Sequence, residues 1–387
     1  PNKAAHIGHL RNSVLGDILG RCLRCLGSEV EIQNYIDDTG VQVADVVVGV
    51  LYLPETELAE CLGIEPCRRD ELIEKVVERL PGTGIPPAST TDFDDLCWEI
   101  YPRVANRYTE DPAFAEPRAV VLHHVEEGFG EVELDGALQL LHGSVVAGEE
   151  FNGRAVACLG AAVADGNVRG PQATRARLGI AYDRLTHESD ILHLGFWKRA
   201  FEILREAGAI RLEEEGKNIG CWVMSLESSP EFADMDDPDK ILVRSNGTVT
   251  YTGKDIAYQL WKLGLLLDDD GARHDFGYRP FTAWDQSGPA EPVTYGSGSA
   301  LLARTTSDTD DSVPNASFGG GRRVYNVIDV RQAYPQKVVK EAVRVLGHPE
   351  AADNSIHFSY EMVALTPGAV REIESRTEVS FGLDDEA

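Results

Sequence analysis

Positive charge is in short supply in these 387 residues: 36 Lys and Arg stand against 64 Asp and Glu, a formal net charge of −28. A surface of that sign gives no long-range attraction for a nucleic-acid backbone, so any such contact has to be local, and DNA is not an expected partner. Long apolar runs are missing as well, which excludes a membrane-spanning helix although 43% of the residues are hydrophobic. The length leaves room for a large core and more than one domain. Cysteine is sparse and unevenly spaced, seven in all, so the dense disulfide framework of a small secreted domain is excluded and a reducing cytoplasm is expected. Cys22 and Cys25 form a lone CxxC with no second pair. They read as small buried hydrophobes on a helix, as do Cys61, Cys67 and Cys97, rather than as metal ligands. His123, His124 and His142 lack a companion ligand set, so no protein-held metal is expected. The acidic runs at 268–270 and 308–311 lack the glycine and distal glutamate of a calcium loop and read as solvated surface. No targeting segment is visible, and residue 1 is proline rather than methionine.

What is present begins at once. His6-Ile7-Gly8-His9 stands immediately before Leu10, Val14, Leu15, Ile18, Leu19, Cys22, Leu23 and Leu26, the three-and-four spacing of a helix with one apolar face, and Gly27 supplies the stop. Two imidazoles therefore sit at a helix N-terminus. Unpaired N–H groups and the positive end of the helix dipole favour anions there, and Gly8 allows a nucleotide close to the backbone. The same residues also fit two capping histidines above a core helix.

The flanks carry a family resemblance. Pro1-Asn2, Leu10-Arg11-Asn12 and Tyr35-Ile36-Asp37-Asp38-Thr39-Gly40 around the histidine turn resemble the first nucleotide-binding half of a class I aminoacyl-tRNA synthetase, of the arginyl type. LTHESDIL (185–192), ILVRSNGTVTYTGKDIAYQLWK (241–262), VYNVIDVRQAYPQKVVKEAVRVLG (324–347) and HFSYEMVAL (357–365) fit the same family in the same order. The resemblance implies a Rossmann-type doubly wound parallel sheet with a connective insertion. It further implies a lysine-containing catalytic loop and a helical anticodon-binding domain. Neither is found here, so the chain reads as a catalytic-domain fragment; Val223-Met224-Ser225 superficially resembles that loop but reads as a strand.

Five stretches follow. Residues 1–52 read as the first Rossmann half, with a strand at 30–35 and a helix at 41–51. Residues 53–180 read as the insertion, with helices at 70–80 and 94–107 and a Pro-Gly break at 81–87. Residues 181–266 return to the core, with a helix through Phe196, Trp197, Ala200, Phe201 and Leu204 ending at Gly208, and a hairpin turn at Asn246-Gly247. Residues 267–322, rich in Gly, Asp, Ser and Thr, read as a surface excursion. Residues 323–387 supply a strand at 324–330, a helix at 337–346 and a last strand with a loose tail.

By resemblance the activity is that of an arginine–tRNA ligase. ATP activates L-arginine to arginyl-adenylate, with Mg2+ bridging the phosphates, and the arginyl group passes to the 2′-hydroxyl of tRNA. Such chemistry asks the protein to position reactants and stabilise spreading negative charge. His6, Gly8 and His9 are the ATP-side candidates. Asn2, Tyr251, Asp255 and Gln332 are the implied arginine contacts, with Tyr251 ending a strand and Asp255 in the first turn of the next helix; a carboxylate is what a guanidinium needs. Arg331 competes with Gln332 for the substrate-facing role, and Asp38 and Gln42 are supporting candidates. A monomer is expected. The competing readings are a non-catalytic synthetase remnant that binds nucleotide or a partner, and another class I synthetase.

Overall fold

A computed structural model describes every residue except 1, 81–90, 129, 131, 227–231, 233–238, 286–287, 293, 296–299, 308–317, 362, 365 and 377–387. The Pro-Gly break at 81–87 and the acidic run at 308–311 lie outside the described residues.

Helix α1 (Ile7–Cys25) starts on His6 and ends before Gly27, whose φ of 83° suits a residue without Cβ. It leads to strand β1 (Gln33–Ile36) and then to α2 (Val41–Tyr52). Val43 to Leu51 of α2 are all buried, because a helix apolar on every side must be wrapped by others. The wrapping comes from α3 (Glu55–Leu62), α4 (Arg69–Glu78), α5 (Thr91–Glu110), α6 (Glu116–Glu127), α7 (Leu134–Ala147) and α8 (Gly153–Arg177). Gly49 lets α5 come close: a Cβ there would stand 2.2 Å from Ile100 Cγ2. Asp45, inside this helical core, is paired in fork fashion by Arg118 at 2.8 and 2.9 Å and by the Tyr108 hydroxyl at 2.9 Å, which offsets its burial. No helix among the described residues is long and apolar enough to cross a membrane.

The chain then returns to β1. Strand β2 (Arg184–His187) pairs with it in parallel, Gln33 opposite Arg184 and Ile36 opposite His187. Helices α9 (Glu188–His193) and α10 (Phe196–Glu206) follow, then the small antiparallel sheet of β3 (Arg211–Leu212), β4 (Trp222–Met224) and β5 (Lys240–Val243), then α11 (Tyr251–Lys262). Beyond α11 come β6 (Gly277–Pro280), β7 (Thr282–Asp285), β8 (Gly288–Pro292), β9 (Thr294–Tyr295), β10 (Ala300–Leu301) and β11 (Ala303–Thr306). β11 pairs in parallel with β2 and antiparallel with β6, giving the order β1-β2-β11-β6. The second piece of parallel sheet is β12 (Val324–Asp329) with β13 (Ser355–Tyr360), joined through α12 (Ala333–Val345) and α13 (Pro349–Asp353). Last comes α14 (Pro367–Arg376).

Two helices tie the sheet pieces together. The Tyr258 hydroxyl of α11 lies 2.5 Å from Gln33 Oε1 and 3.0 Å from Thr186 Oγ1, while Gln259 donates to Ser355 at 2.8 Å and Lys262 to Asn326 at 2.8 Å. Arg184, fully buried, lays its guanidinium 4.2 Å from the centre of the Trp261 ring. From the other side, Asn12 of α1 donates to the Val327 carbonyl at 2.7 Å, and Ser13 meets Tyr182 and Arg175.

Four expectations are corrected. The apolar stripe of α1 is not its buried face: Ser13 and Gly20 are buried, whereas Val14, Ile18 and Leu26 are exposed, and so are Cys22 and Cys25. The helix approaches the strands with its small and polar residues, Gly16 against Val327 and Gly20 against Ile32, since a close backbone approach needs a missing side chain. Tyr251 does not end a strand; Thr250 is the N-cap and Tyr251 opens α11, which moves Asp255 to the second turn. The 267–322 stretch is not wholly a surface excursion, because Phe276, Tyr278, Phe281, Leu302, Ala303 and Thr305 are buried and β11 lies inside the main sheet. The tail begins with a helix, α14, rather than loose chain.

Candidate functional site

The histidine turn closes on itself. His6 Nδ1 accepts from the Gly8 N–H at 3.1 Å, His9 Nδ1 accepts from the His6 N–H at 3.1 Å, and the two rings stack with centroids 4.0 Å apart. Two orphan N–H groups of the helix start are thereby satisfied. Because both Nδ1 atoms accept, each neutral ring carries its proton on Nε2. Desolvation pushes both histidines below the ordinary range, His9 to about 4 with added repulsion from His6 and Arg175, so at neutral pH they are uncharged Nε2–H donors. Gly8 has a local reason: a Cβ would stand 2.9 Å from the His6 ring.

An acidic well lies at the carboxyl edge of β1 and β2. Asp37 and Asp38 follow β1, Glu188 follows β2, and Asp255 comes in from α11. Glu188, 1% exposed, accepts from Tyr35 at 2.7 Å, Thr39 at 3.1 Å and Lys254 at 2.8 Å. One Asp37 carboxylate oxygen is buried without a partner. Burial raises Asp255 to about 7; Lys262 and Lys254 oppose the shift, Glu188 and Asp37 add to it. Burial likewise raises Asp37, with Glu188 adding repulsion. Tyr35, which donates to Glu188, and the half-exposed Tyr251 have hydroxyls raised chiefly by desolvation, with neighbouring carboxylates adding to the shift. Lys254 and Lys262 offset part of the negative charge, and what remains in a partly dry crevice favours a cation with several donors.

No family model matches the chain. It is 34% identical over 385 residues to the arginine–tRNA ligase of Pyrococcus abyssi, covering all of this chain and 50% of that protein. It is 30% identical over 392 residues to that of Deinococcus radiodurans, again over the whole chain. The solved arginyl-tRNA synthetase of Thermus thermophilus superposes on 97% of it with a TM-score of 0.60 at 27% identity, and 50% of that chain is covered. The chain is homologous to the arginine–tRNA ligases. It spans about half the length of the curated relatives it matches.

Within this arginine–tRNA ligase homologue the remaining candidates are spread unevenly. Tyr251 and Asp255 are together, one turn apart on α11. Asn2 is buried with its Nδ2 unpartnered. Asp38 is drawn away from the well: both its oxygens accept from Ser189, backbone at 2.9 Å and hydroxyl at 2.6 Å, pinning the end of β1 to the start of α9. Gln42 is exposed on the first turn of α2. Gln332 caps α12 at the end of β12 and is exposed, as is Arg331, whose guanidinium is turned back onto Asp329 at 2.8 Å. Glu188, Asp37, Tyr35 and Lys254 were not singled out from the sequence. All four lie in motifs that were, and the rule that ligands gather beyond the carboxyl ends of parallel strands points to Glu188. His142 pairs with Asp70 at 3.0 Å, and His123 with Glu127 at 3.4 Å. Among the described residues no three His, Cys, Asp or Glu side chains converge as a metal ion would require.

Proposed function

We propose that the chain carries the ATP and arginine sites of an arginine–tRNA ligase, which joins L-arginine to tRNA through arginyl-adenylate in the cytoplasm. The observation that carries this reading is the acidic well of Asp37, Glu188 and Asp255 at the carboxyl edge of the parallel strands β1 and β2, in a chain whose histidine turn opens α1. In this scheme Asp255 and Tyr251 hold the guanidinium, with Glu188 behind them, Asn2 contacts the polar end of the amino acid, and Gln332 is an outlying contact. The arginine carboxylate then faces the α-phosphate for in-line attack and pyrophosphate leaves. His6 and His9 donate Nε2–H bonds to phosphate oxygens, and Gly8 gives the His6 ring room to do so. Mg2+ travels with ATP, held by phosphate oxygens and water. Residues 53–180 serve as the connective insertion between the two halves of the sheet. The tRNA supplies the 2′-hydroxyl acceptor.

Calorimetry on this chain with L-arginine, L-lysine and ATP is the direct test. Arginine is expected to bind, lysine to bind at least tenfold more weakly because a point charge cannot make bidentate contacts, and Asp255→Asn to weaken arginine binding while leaving ATP binding within about tenfold. ATP binding with no arginine binding would favour a nucleotide-binding remnant instead.

A further inference from the structure

Lys254 is, with Lys262, a residue beside the well whose charge opposes a cation receptor. It precedes Asp255 on α11, is 6% exposed, and places Nζ 2.8 Å from Glu188 Oε1 and 3.3 Å from Glu126 Oε1. Burial pushes its ammonium down, but Glu188 and then Glu126 outweigh this and hold it above its ordinary range, so it stays charged. Glu188 has accepting capacity for about four hydrogen bonds, and Tyr35, Thr39 and Lys254 already use three. A full ion pair with Lys254 therefore leaves Glu188 little for an incoming guanidinium. Glu126 changes that balance. It sits on the last turn of α6, a helix anchored in the insertion by Val121 and Val125, 1% and 5% exposed, so it is presented from a packed core rather than a loop.

We propose that Glu126 is a positioning residue for the amino-acid pocket: by sharing the Lys254 ammonium it draws that charge toward the insertion and keeps Glu188 available to a substrate guanidinium. This rests on the arginine reading above and extends it, since it couples the helical insertion to amino-acid affinity. The groups facing Lys254 are Glu126 from α6, Glu188 from α9, Asp37 from the loop after β1, and Asp255 on its own helix.

The test is a charge series at one position, read as the L-arginine dissociation constant by calorimetry, with a thermal melt for each variant to establish folding. Glu126→Asp should bind arginine as the unsubstituted chain does. Glu126→Gln should bind about fivefold more weakly, the low end of coupling between sites, and Glu126→Lys more weakly again. Glu127→Lys, the same charge change on a neighbouring side chain that is 60% exposed, should stay within about twofold, the level of a screened surface charge. Graded loss that follows charge at 126 but not at 127 is not what a packing defect produces. A folded Glu126→Lys with undiminished arginine affinity, or equal losses at 126 and 127, overturns the proposal while leaving the arginine site standing. Failure of the unsubstituted chain to bind L-arginine overturns the arginine reading, and this proposal with it.

Discussion

Arginine binding should depend on pH through Asp255. Its carboxyl is raised to about 7, chiefly by burial, so about one-tenth is ionised at pH 6 and about nine-tenths at pH 8. A guanidinium bonds the ionised form; if only that form binds, the apparent affinity scales with its fraction and rises roughly tenfold, or about 1.4 kcal/mol, over those two units. Binding at pH 7 should also release about half a proton, because the substrate cation pulls the carboxyl back toward its ordinary value. Calorimetry between pH 6 and 8 measures the first quantity, and repeating pH 7 in buffers of different ionisation enthalpy measures the second. Asp37 is raised as well, so the assignment needs Asp255→Asn, which should weaken binding and flatten the profile. A flat profile in the unsubstituted chain, with no proton released, would show that Asp255 is already ionised and that the dry, crowded well is not what the geometry implies. A slope surviving in Asp255→Asn would pass the role to Asp37 or to Lys262, whose ammonium burial lowers to about 8.

Two further outcomes follow from Asp94 and Gly8. Asp94 is 4% exposed with Oδ1 unpartnered, and burial raises it to about 8; its folded value lies above the unfolded one, so stability is lost as pH rises from about 4 to about 8, and Asp94→Asn should match the parent near pH 4 yet exceed it at pH 8 by on the order of 2–4 kcal/mol in denaturant melts. A gap of equal size at both pH values would place the effect in packing instead. Gly8→Ala puts a methyl 2.9 Å from the His6 ring and should displace it, costing about 1 kcal/mol of helix capping in a melt and roughly tenfold in ATP affinity by calorimetry. Unchanged ATP binding would remove the histidine turn from the nucleotide site.

The histidine turn, the helix ends at Gly27 and Gly208 and the strands around 33–36, 324–329 and 355–360 were legible because capping residues, left-handed glycines and apolar periodicity each act locally. The burial of α1 was not, because apolar spacing marks a hydrophobic face, and this helix meets its strands through Asn12, Gly16 and Gly20, where closeness rather than hydrophobicity decides. β11 escaped for a related reason. Its Ala-Arg-Thr-Thr is polar by composition, yet Thr305 is 1% exposed and its hydroxyl accepts from the His187 N–H at 2.9 Å, so a strand at the sheet centre is completed by a side chain that reads as loop. In the candidate site, Tyr251 and Asp255 were singled out through the family resemblance of the segment that carries them. The partners that surround Asp255, Glu188 from 67 positions earlier and Asp37 from still farther, meet it only in the folded chain.

The double attachment of α11 has a mechanical side. The helix is gripped at Tyr258, Gln259 and Lys262 by both pieces of parallel sheet, and Lys254 ties its first half to Glu188 and Glu126, so Tyr251 stands seven residues, roughly 10 Å at about 1.5 Å per residue, beyond the sheet-held turn. A tilt of roughly 5° at the gripped turn swings Tyr251 by roughly 1 Å, the displacement that costs a catalyst on the order of a hundredfold. Alignment of the proposed guanidinium pocket is thus a readout of how firmly the two sheet pieces are held together, and a substitution at Gln33 or Asn326 acts on Tyr251 as a change of leverage.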